Sequence, residues 1–353
     1  MIDRSLKEVR VLVAEDSSTV RHHLTRMINE TPGMRVIGQA RDGEEVIAMV
    51  DELRPDVISM DISMPRIDGL EATRQIMTRN PTPVVVVTSM IDRDVDLSFH
   101  ALQAGALAVV GKPPDRNNPA FPDKQRELVK TLRAMSEVRV IHRRRGNHTG
   151  RAEAVAKLPA KRPRDRPEII AIGASAGGPS ALSHILKELP AELSVPIVIA
   201  QHMPGDFVRG LARWLNKTTP LEVKLAEDGD VLESGVVNLS PGGRHLTVIR
   251  RDGRLITRLL HEKGPYSYQP SVDVLFQSVA TSCGLASIGI VLTGMGDDGA
   301  AGLLAMYDLG AYTLAQDEQS STVFGMPGAA IDRGAVADVV PLVNIASAIL
   351  KLV

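Results

Sequence analysis

Short apolar runs alternate along this chain with segments whose apolar residues recur at helical spacing. Residues 10–14 form a run that ends in Glu15 and Asp16, and Val20, Leu24, Met27 and Ile28 then fall on one helical face. Residues 34–38, 56–61, 83–87 and 106–110 predict four further strands, with a helix over 46–53. Leu128, Leu132 and Met135 mark another helix over 124–138. Strands alternating with helices require a parallel sheet covered on both faces, and such sheets bind ligands beyond the carboxyl ends of their strands.

The pattern lapses and then resumes. Between Pro113 and about Pro167, past the 124–138 helix, apolar residues are few, and Arg143-Arg144-Arg145 and Lys161-Arg162-Pro163-Arg164 give a basic interdomain linker. Ile169 to Ala174 then predicts a buried strand that turns through Ser175-Ala176-Gly177-Gly178-Pro179 into a helix. Residues 194–200 form the next strand, delivering Gln201-His202-Met203-Pro204, and Leu211, Trp214 and Leu215 mark a helix. Residues 223–225, 236–239, 246–250 and 255–259 read as shorter strands or hairpins joined by Asp228-Gly229, Pro241-Gly242-Gly243 and Asp252-Gly253. A helix over 272–279 and an apolar strand over 286–292 lead into Thr293-Gly294-Met295-Gly296-Asp297-Asp298-Gly299 and another helix. The expected division is 1–122, a last helix and linker over 123–166, and a second domain over 167–353.

Composition narrows the class. With 353 residues the chain suffices for two ordinary cores, and 41 basic against 42 acidic residues leave a net charge of −1. That balance gives no general attraction for nucleic acid, and no helix-turn-helix pattern or stacking aromatics accompany the basic linker. Cys283 is the sole cysteine, so no intramolecular disulfide forms, and it reads as a small core residue. No signal-peptide h-region or membrane-length apolar run is present, which predicts a soluble, cytoplasmic protein.

Chemistry gathers at the expected strand ends. Glu15, Asp16 and Asp61 are three carboxylates at one rim, which repel one another unless a hard divalent cation joins them. Thr88 and Lys112 end the next two strands with a hydroxyl and an ammonium suited to phosphate oxygens. The set fits phosphoryl transfer to a carboxylate. In the second half Ser175, His202 and the Asp297-Asp298 pair each follow a buried strand, offering a nucleophile, a base and an orienting carboxylate. Taken singly, Ser175 also suits a helix cap or a phosphate-cradling turn, and Asp297 and Asp298 suit a turn or a metal site. His184, His245 and His261 have no such placement and read as surface or turn residues.

The first roughly 115 residues resemble a response-regulator receiver domain through Glu15-Asp16, Asp61, Met64-Pro65, Asp68-Gly69, Thr88 and Lys112-Pro113. The resemblance implies a flavodoxin-like five-stranded parallel sheet in which Asp61 accepts phosphate from a chemotaxis histidine kinase. Glu15, Asp16, Asp61 and the Ser63 carbonyl would hold Mg²⁺, Thr88 and Lys112 would bind the phosphoryl group, and Lys112-Pro113 would be cis. Val109 stands where receivers commonly carry an aromatic switch residue.

The second half resembles the catalytic domain of chemotaxis protein-glutamate methylesterases of the CheB family. The matching segments are Gly173 to Gly178, Gln201 to Pro204, Ser240-Pro241-Gly242-Gly243 with His245, Pro270 to Phe276, and Thr293 to Ala300. The resemblance implies a doubly wound α/β domain with Ser175 as nucleophile, His202 as base, Asp298 as orienting carboxylate, and no cofactor of its own. Backbone N–H groups of Ala176 and Met295 are the oxyanion candidates. Ala176 replaces the threonine that often follows the family's serine. The implied activity is phosphorylation-regulated hydrolysis of glutamate γ-methyl esters on the cytoplasmic helices of methylated chemoreceptors, with receptor glutamine deamidation as a second reaction. The competing readings are a phosphorylation-switched receptor-binding module without esterase activity and a nucleotide-binding output domain.

Overall fold

A computed structural model describes residues 8–89, 95–138, 166–203, 205–261 and 268–353. The chain divides into two compact units, Met1–Arg145 and Gly146–Val353.

In the first unit, β1 (Val9–Ala14), β2 (Met34–Ala40), β3 (Val57–Met60), β4 (Val84–Thr88) and β5 (Ala108–Gly111) form one parallel sheet in the order β2-β1-β3-β4-β5. The residues of β3 and β4 are all buried, which is why they read as unbroken apolar runs rather than alternating ones. Helices α1 (Ser18–Asn29), α2 (Gly43–Leu53), α3 (Gly69–Arg79), α4 (Val95–Ala104) and α5 (Phe121–Ser136) connect or follow the strands. Ser17, Asp42 and Asp68 cap α1, α2 and α3 through their side chains. Strand order reverses direction between β1 and β3, and that switch point is where this topology opens a crevice beyond the strand ends. The Lys112–Pro113 bond is not cis, contrary to the expectation from resemblance; it keeps the trans form that X–Pro bonds favour by roughly 0.5–1 kcal/mol. Gln269–Pro270 is the cis bond among the described residues.

The second unit is built on seven parallel strands in the order β14-β13-β12-β6-β7-β9-β8. They are β6 (Ile169–Ala174), β7 (Ile197–Gln201), β8 (Glu222–Leu225), β9 (Val236–Leu239), β12 (Ser287–Val291), β13 (Tyr312–Gln316) and β14 (Asp338–Val340). Helices α6 (Gly178–Lys187), α7 (Gly205–Thr218), α8 (Val272–Cys283), α9 (Ala300–Asp308), α10 (Gly325–Asp332) and α11 (Leu342–Leu350) accompany the sheet. Here the switch lies at β6, with β7 on one side and β12 on the other.

The expected short strands separate into two groups. β8 and β9 pair in parallel at one edge of the main sheet, whereas β10 (His245–Arg251) and β11 (Arg254–Leu260) form an antiparallel hairpin. Asp252 and Gly253 both have positive φ, 50° and 77°, which matches the twist of a two-residue hairpin turn. Residues 236–239 are all buried, so no alternation distinguished a sheet strand from a hairpin arm. Beyond α9 the chain adds β13, α10, β14 and α11, elements for which the apolar pattern gave no expectation. The expected basic linker lies outside the described residues beyond 138, apart from its last residues. Among the described residues no helix is long and apolar enough to cross a membrane.

One core joins the hairpin, α8 and the sheet. Leu246, Val248 and Leu255 pack in a cluster with Val272, Leu275, Phe276 and Val279 of α8 and with Ile169, Ala171, Val198 and Ala200 of the sheet. Phe276 is wholly buried there. Phe276→Ala should cost about 3–5 kcal/mol, through lost transfer energy and a residual cavity, as read by urea unfolding. A cost below about 1 kcal/mol would show that α8 is not held by this core.

Candidate active site and acidic rim

At the switch point of the first unit, β1 ends in Glu15 and Asp16 and β3 in Asp61. Carboxylate oxygens from all three lie within 4.8 Å of one another, Glu15 and Asp61 being buried and Asp16 exposed. Lys112, just after β5, places Nζ 2.8 Å from Glu15 and 3.0 Å from Asp61. Its amide donates to the Thr88 carbonyl at 3.0 Å, so the ends of β4 and β5 stand side by side. Burial pushes the Glu15 and Asp61 carboxyls above their ordinary range, against the pull of Lys112. Burial alone would lower Lys112, but the hydrogen bonds and charges of Glu15 and Asp61 raise it. The Ile62 amide donates to Asp61 Oδ1 at 2.8 Å, and Ser63 lies exposed two residues further on. Arg66, in the same loop at φ 64°, pairs with the buried Asp42 that caps α2.

This donor set fits a hard cation: two buried carboxylates and an exposed one converge with a single lysine between them. Without a cation, burial makes Glu15 and Asp61 bind protons more tightly folded than unfolded, so their contribution to stability declines as pH rises from the ordinary carboxylate range through their raised values. A bound divalent ion offsets that penalty. Divalent cation should therefore raise the melting temperature of this unit at neutral pH and do so progressively less as the pH falls toward 4.5, the ordinary value for a glutamate. An equal shift in a Glu15→Gln/Asp61→Asn variant would place the cation elsewhere.

In the second unit, three strand ends meet at the switch point. Ser175 follows β6, His202 follows β7, and Asp298 lies in the loop between β12 and α9. The His202 amide donates to the Ala174 carbonyl at 2.9 Å and the Ser175 amide to the Thr293 carbonyl at 3.0 Å, so adjacent strands bring the two residues to one rim. His202 Nε2 stands 2.7 Å from Asp298 Oδ2. Its other ring nitrogen, Nδ1, is buried and without a hydrogen-bond partner among the described residues, the Ser175 hydroxyl included. The amides of Ala176 and Met295 donate to no backbone carbonyl among the described residues.

Asp298 is gripped by the amino end of α8. Its Oδ1 accepts from the Ser271 hydroxyl at 2.9 Å and the Asp273 amide at 3.0 Å, and Oδ2 from the Val272 amide at 2.8 Å. Burial alone would raise this carboxyl, yet the His202 hydrogen bond and charge and the two α8 amides hold it below its ordinary value. Asp297, next to it, is exposed and faces Arg333 at 3.4 Å. The neighbouring residue, Asp298, is thus the one in contact with His202.

Glycines make these approaches possible. A Cβ on Gly173 would lie 2.1 Å from Val272 Cγ1, and one on Gly294 would lie 2.8 Å from the Ser175 Cβ. Gly177, at φ 77°, opens α6.

Four neighbours were not singled out from the sequence as parts of the site. Gln201 is buried, and its Nε2 donates to the carbonyls of Ser175 and His202 at 2.8 and 3.0 Å. Tyr268 stacks on the His202 ring with centroids 4.2 Å apart and planes 12° apart. Ser271 caps α8 while holding Asp298. His245 is buried rather than a surface or turn residue: it opens β10, and its Nδ1 accepts from the Ser271 amide at 3.1 Å. His184 is half-buried on α6 and His261 exposed. The Gln201 to Pro204 segment was the signal that could have found Gln201; nothing in spacing alone pointed to Tyr268. Pro204 lies outside the described residues. Ala176 lacks a hydroxyl, and Thr293 Oγ1 donates to its carbonyl at 2.9 Å.

An acidic rim on a flavodoxin-like sheet, followed by a serine, histidine and helix-held aspartate on a second doubly wound sheet, defines a receiver-coupled hydrolase. The chain belongs to the CheB methylesterase family, whose profile matches residues 170–349, and the profile described as response regulator receiver domain matches residues 11–118. It is 46% identical over 340 residues to "Protein-glutamate methylesterase/protein-glutamine glutaminase 4" of Myxococcus xanthus strain DK1622, covering 96% of this chain and 95% of that one. A relative of Anaeromyxobacter dehalogenans strain 2CP-C, with the same name but numbered 3, is 44% identical over 92% of this chain and 94% of its own. The crystal structure of the Thermotoga maritima CheB methylesterase catalytic domain aligns with a TM-score of 0.52 and 35% identity, over 54% of this chain and all of that one.

Proposed function

We propose that this protein hydrolyses glutamate γ-methyl esters on chemoreceptors, releasing methanol, under control of phosphorylation at Asp61. The observation that carries the reading is the 2.7 Å contact between His202 Nε2 and the helix-held Asp298, which leaves Nδ1 without a partner at the rim where Ser175 stands. With the proton on Nε2, directed at Asp298, the Nδ1 lone pair is the base.

The steps follow from that arrangement. Ser175 Oγ attacks the ester carbonyl while Nδ1 of His202 takes the hydroxyl proton, and the imidazolium is stabilised by Asp298. The amides of Ala176 and Met295 receive the oxyanion. Collapse breaks the C–O bond to methoxide, His202 returns its proton, and methanol leaves. Water, deprotonated by His202, then attacks the acyl-serine, the bond to Ser175 Oγ breaks as His202 returns the proton to that oxygen, and the glutamate side chain is released. The same attack on a glutamine side chain would release ammonia, a second activity supported by the names of the relatives. A histidine held in one orientation by a carboxylate favours chemistry over a binding module.

In the first unit Asp61 is the acceptor of a phosphoryl group from a histidine kinase. Glu15, Asp16, Asp61 and the Ser63 carbonyl would hold Mg²⁺, which neutralises charge on the transferring group, while Thr88 and Lys112 bind its oxygens. The working partners are therefore a chemotaxis kinase and the cytoplasmic helices of methylated receptors, met by a cytoplasmic protein.

Methanol release from methylated receptor membranes tests both halves. Ser175→Ala should lower it by at least about 10³-fold, the order of loss expected for a catalytic nucleophile. A small-molecule phosphodonor with Mg²⁺ should raise it in the wild type and leave Asp61→Asn unchanged. Near-wild-type release by Ser175→Ala would overturn the nucleophile, and stimulation of Asp61→Asn would overturn the switch.

A further inference from the structure

The geometry points to Asp273 as a positioning residue: by capping α9 from the neighbouring helix, it fixes the backbone that carries Asp298. This inference rests on the esterase reading above. α9 begins at Ala300 behind Gly299, which sits at φ 95° and has no side chain with which to cap a helix. The first N–H groups of α9 therefore need an acceptor from outside. Asp273 supplies it. Its Oδ1 accepts from the Gly299 amide at 2.9 Å and the Gly302 amide at 2.7 Å.

The arrangement is reciprocal. Asp298, from the loop before α9, accepts from Ser271, Val272 and Asp273 at the start of α8, and Asp273, from α8, accepts from the start of α9. Asp298 is thereby held at its carboxylate by one helix and at the peptide that follows it by a side chain of that same helix. The packing between the helices leaves no slack. A Cβ on Gly302 would lie 2.7 Å from the Asp273 carbonyl oxygen and from Phe276 Cβ, and one on Gly299 would lie 2.6 Å from Val272 Cγ1.

Removing the Asp273 acceptor leaves two amides without their partner and frees the loop that presents Asp298. His202 then loses orientation rather than substrate, so the effect falls on kcat. Loss of a well-placed counter-ion for the imidazolium also moves the acid limb of the kcat profile to lower pH.

Three variants of the full chain separate geometry from charge. Asp273→Asn keeps the acceptor and removes the charge; its kcat should stay within about threefold of wild type. Asp273→Ala and Asp273→Glu, which delete the acceptor or move it by a methylene, should lose about tenfold or more in kcat, with KM within about twofold and the acid limb shifted down. A folded Asp273→Glu with wild-type kcat and acid limb would overturn the inference, as would an Asp273→Asn as damaged as Asp273→Ala. Should the wild type release no methanol, the esterase reading falls instead. The ¹⁵N resonances of His202 then decide: a shift of Nε2 in Asp273→Glu but not in Asp273→Asn supports the inference, and an unshifted Nε2 in both overturns it.

Discussion

Asp298 accepts hydrogen bonds from a serine hydroxyl and two successive amides at the start of α8 before it meets His202. Burial alone would raise such a carboxyl. The His202 contact, together with the N–H groups at the amino end of α8, holds it below its ordinary value instead. The rest of the second unit is arranged around that contact. Gly173 lets Val272 approach β6, His245 accepts from the Ser271 amide, and the hairpin closes over α8 from the other side.

The two units solve opposite electrostatic problems at the switch points of two differently ordered parallel sheets. Each brings polar groups to a switch point of a parallel sheet, where strand ends diverge and leave room for a ligand. In the first, burial wins and raises Glu15 and Asp61 against the pull of Lys112, in a cluster whose carboxylates could hold a metal ion. In the second, hydrogen bonds win and lower Asp298. One rim holds charge that calls for a ligand; the other holds charge already satisfied by the protein, and available to stabilise an imidazolium.

Much of this was legible in the sequence because strand-end chemistry is local. A buried apolar run ending in Asp61, Ser175 or His202 announces both the strand and the rim, and parallel pairing within each sheet then sets neighbouring strand ends side by side without further information. Asp298 needed the resemblance to separate it from Asp297, since adjacent residues differ only in which way the loop turns. Contacts between distant elements left no such mark. Tyr268 on His202, His245 under Ser271 and Gln201 across two carbonyls depend on how α8 and the hairpin dock, which no period of 2 or 3.6 encodes. The elements after α9 left little trace for a related reason: α10 is rich in glycine and alanine and carries little of the polar face that makes a helix visible.

In the proposed mechanism the α8-held Asp298 fixes one tautomer of His202, leaving Nδ1 as the base. Proton-detected ¹⁵N NMR of the histidine side chains at neutral pH reads that directly. The expected result is a proton on Nε2 of His202, strongly deshielded and lost or shifted in Asp298→Asn, with Nδ1 unprotonated. A His202 protonated on Nδ1, with Nε2 bare toward Asp298, would contradict it.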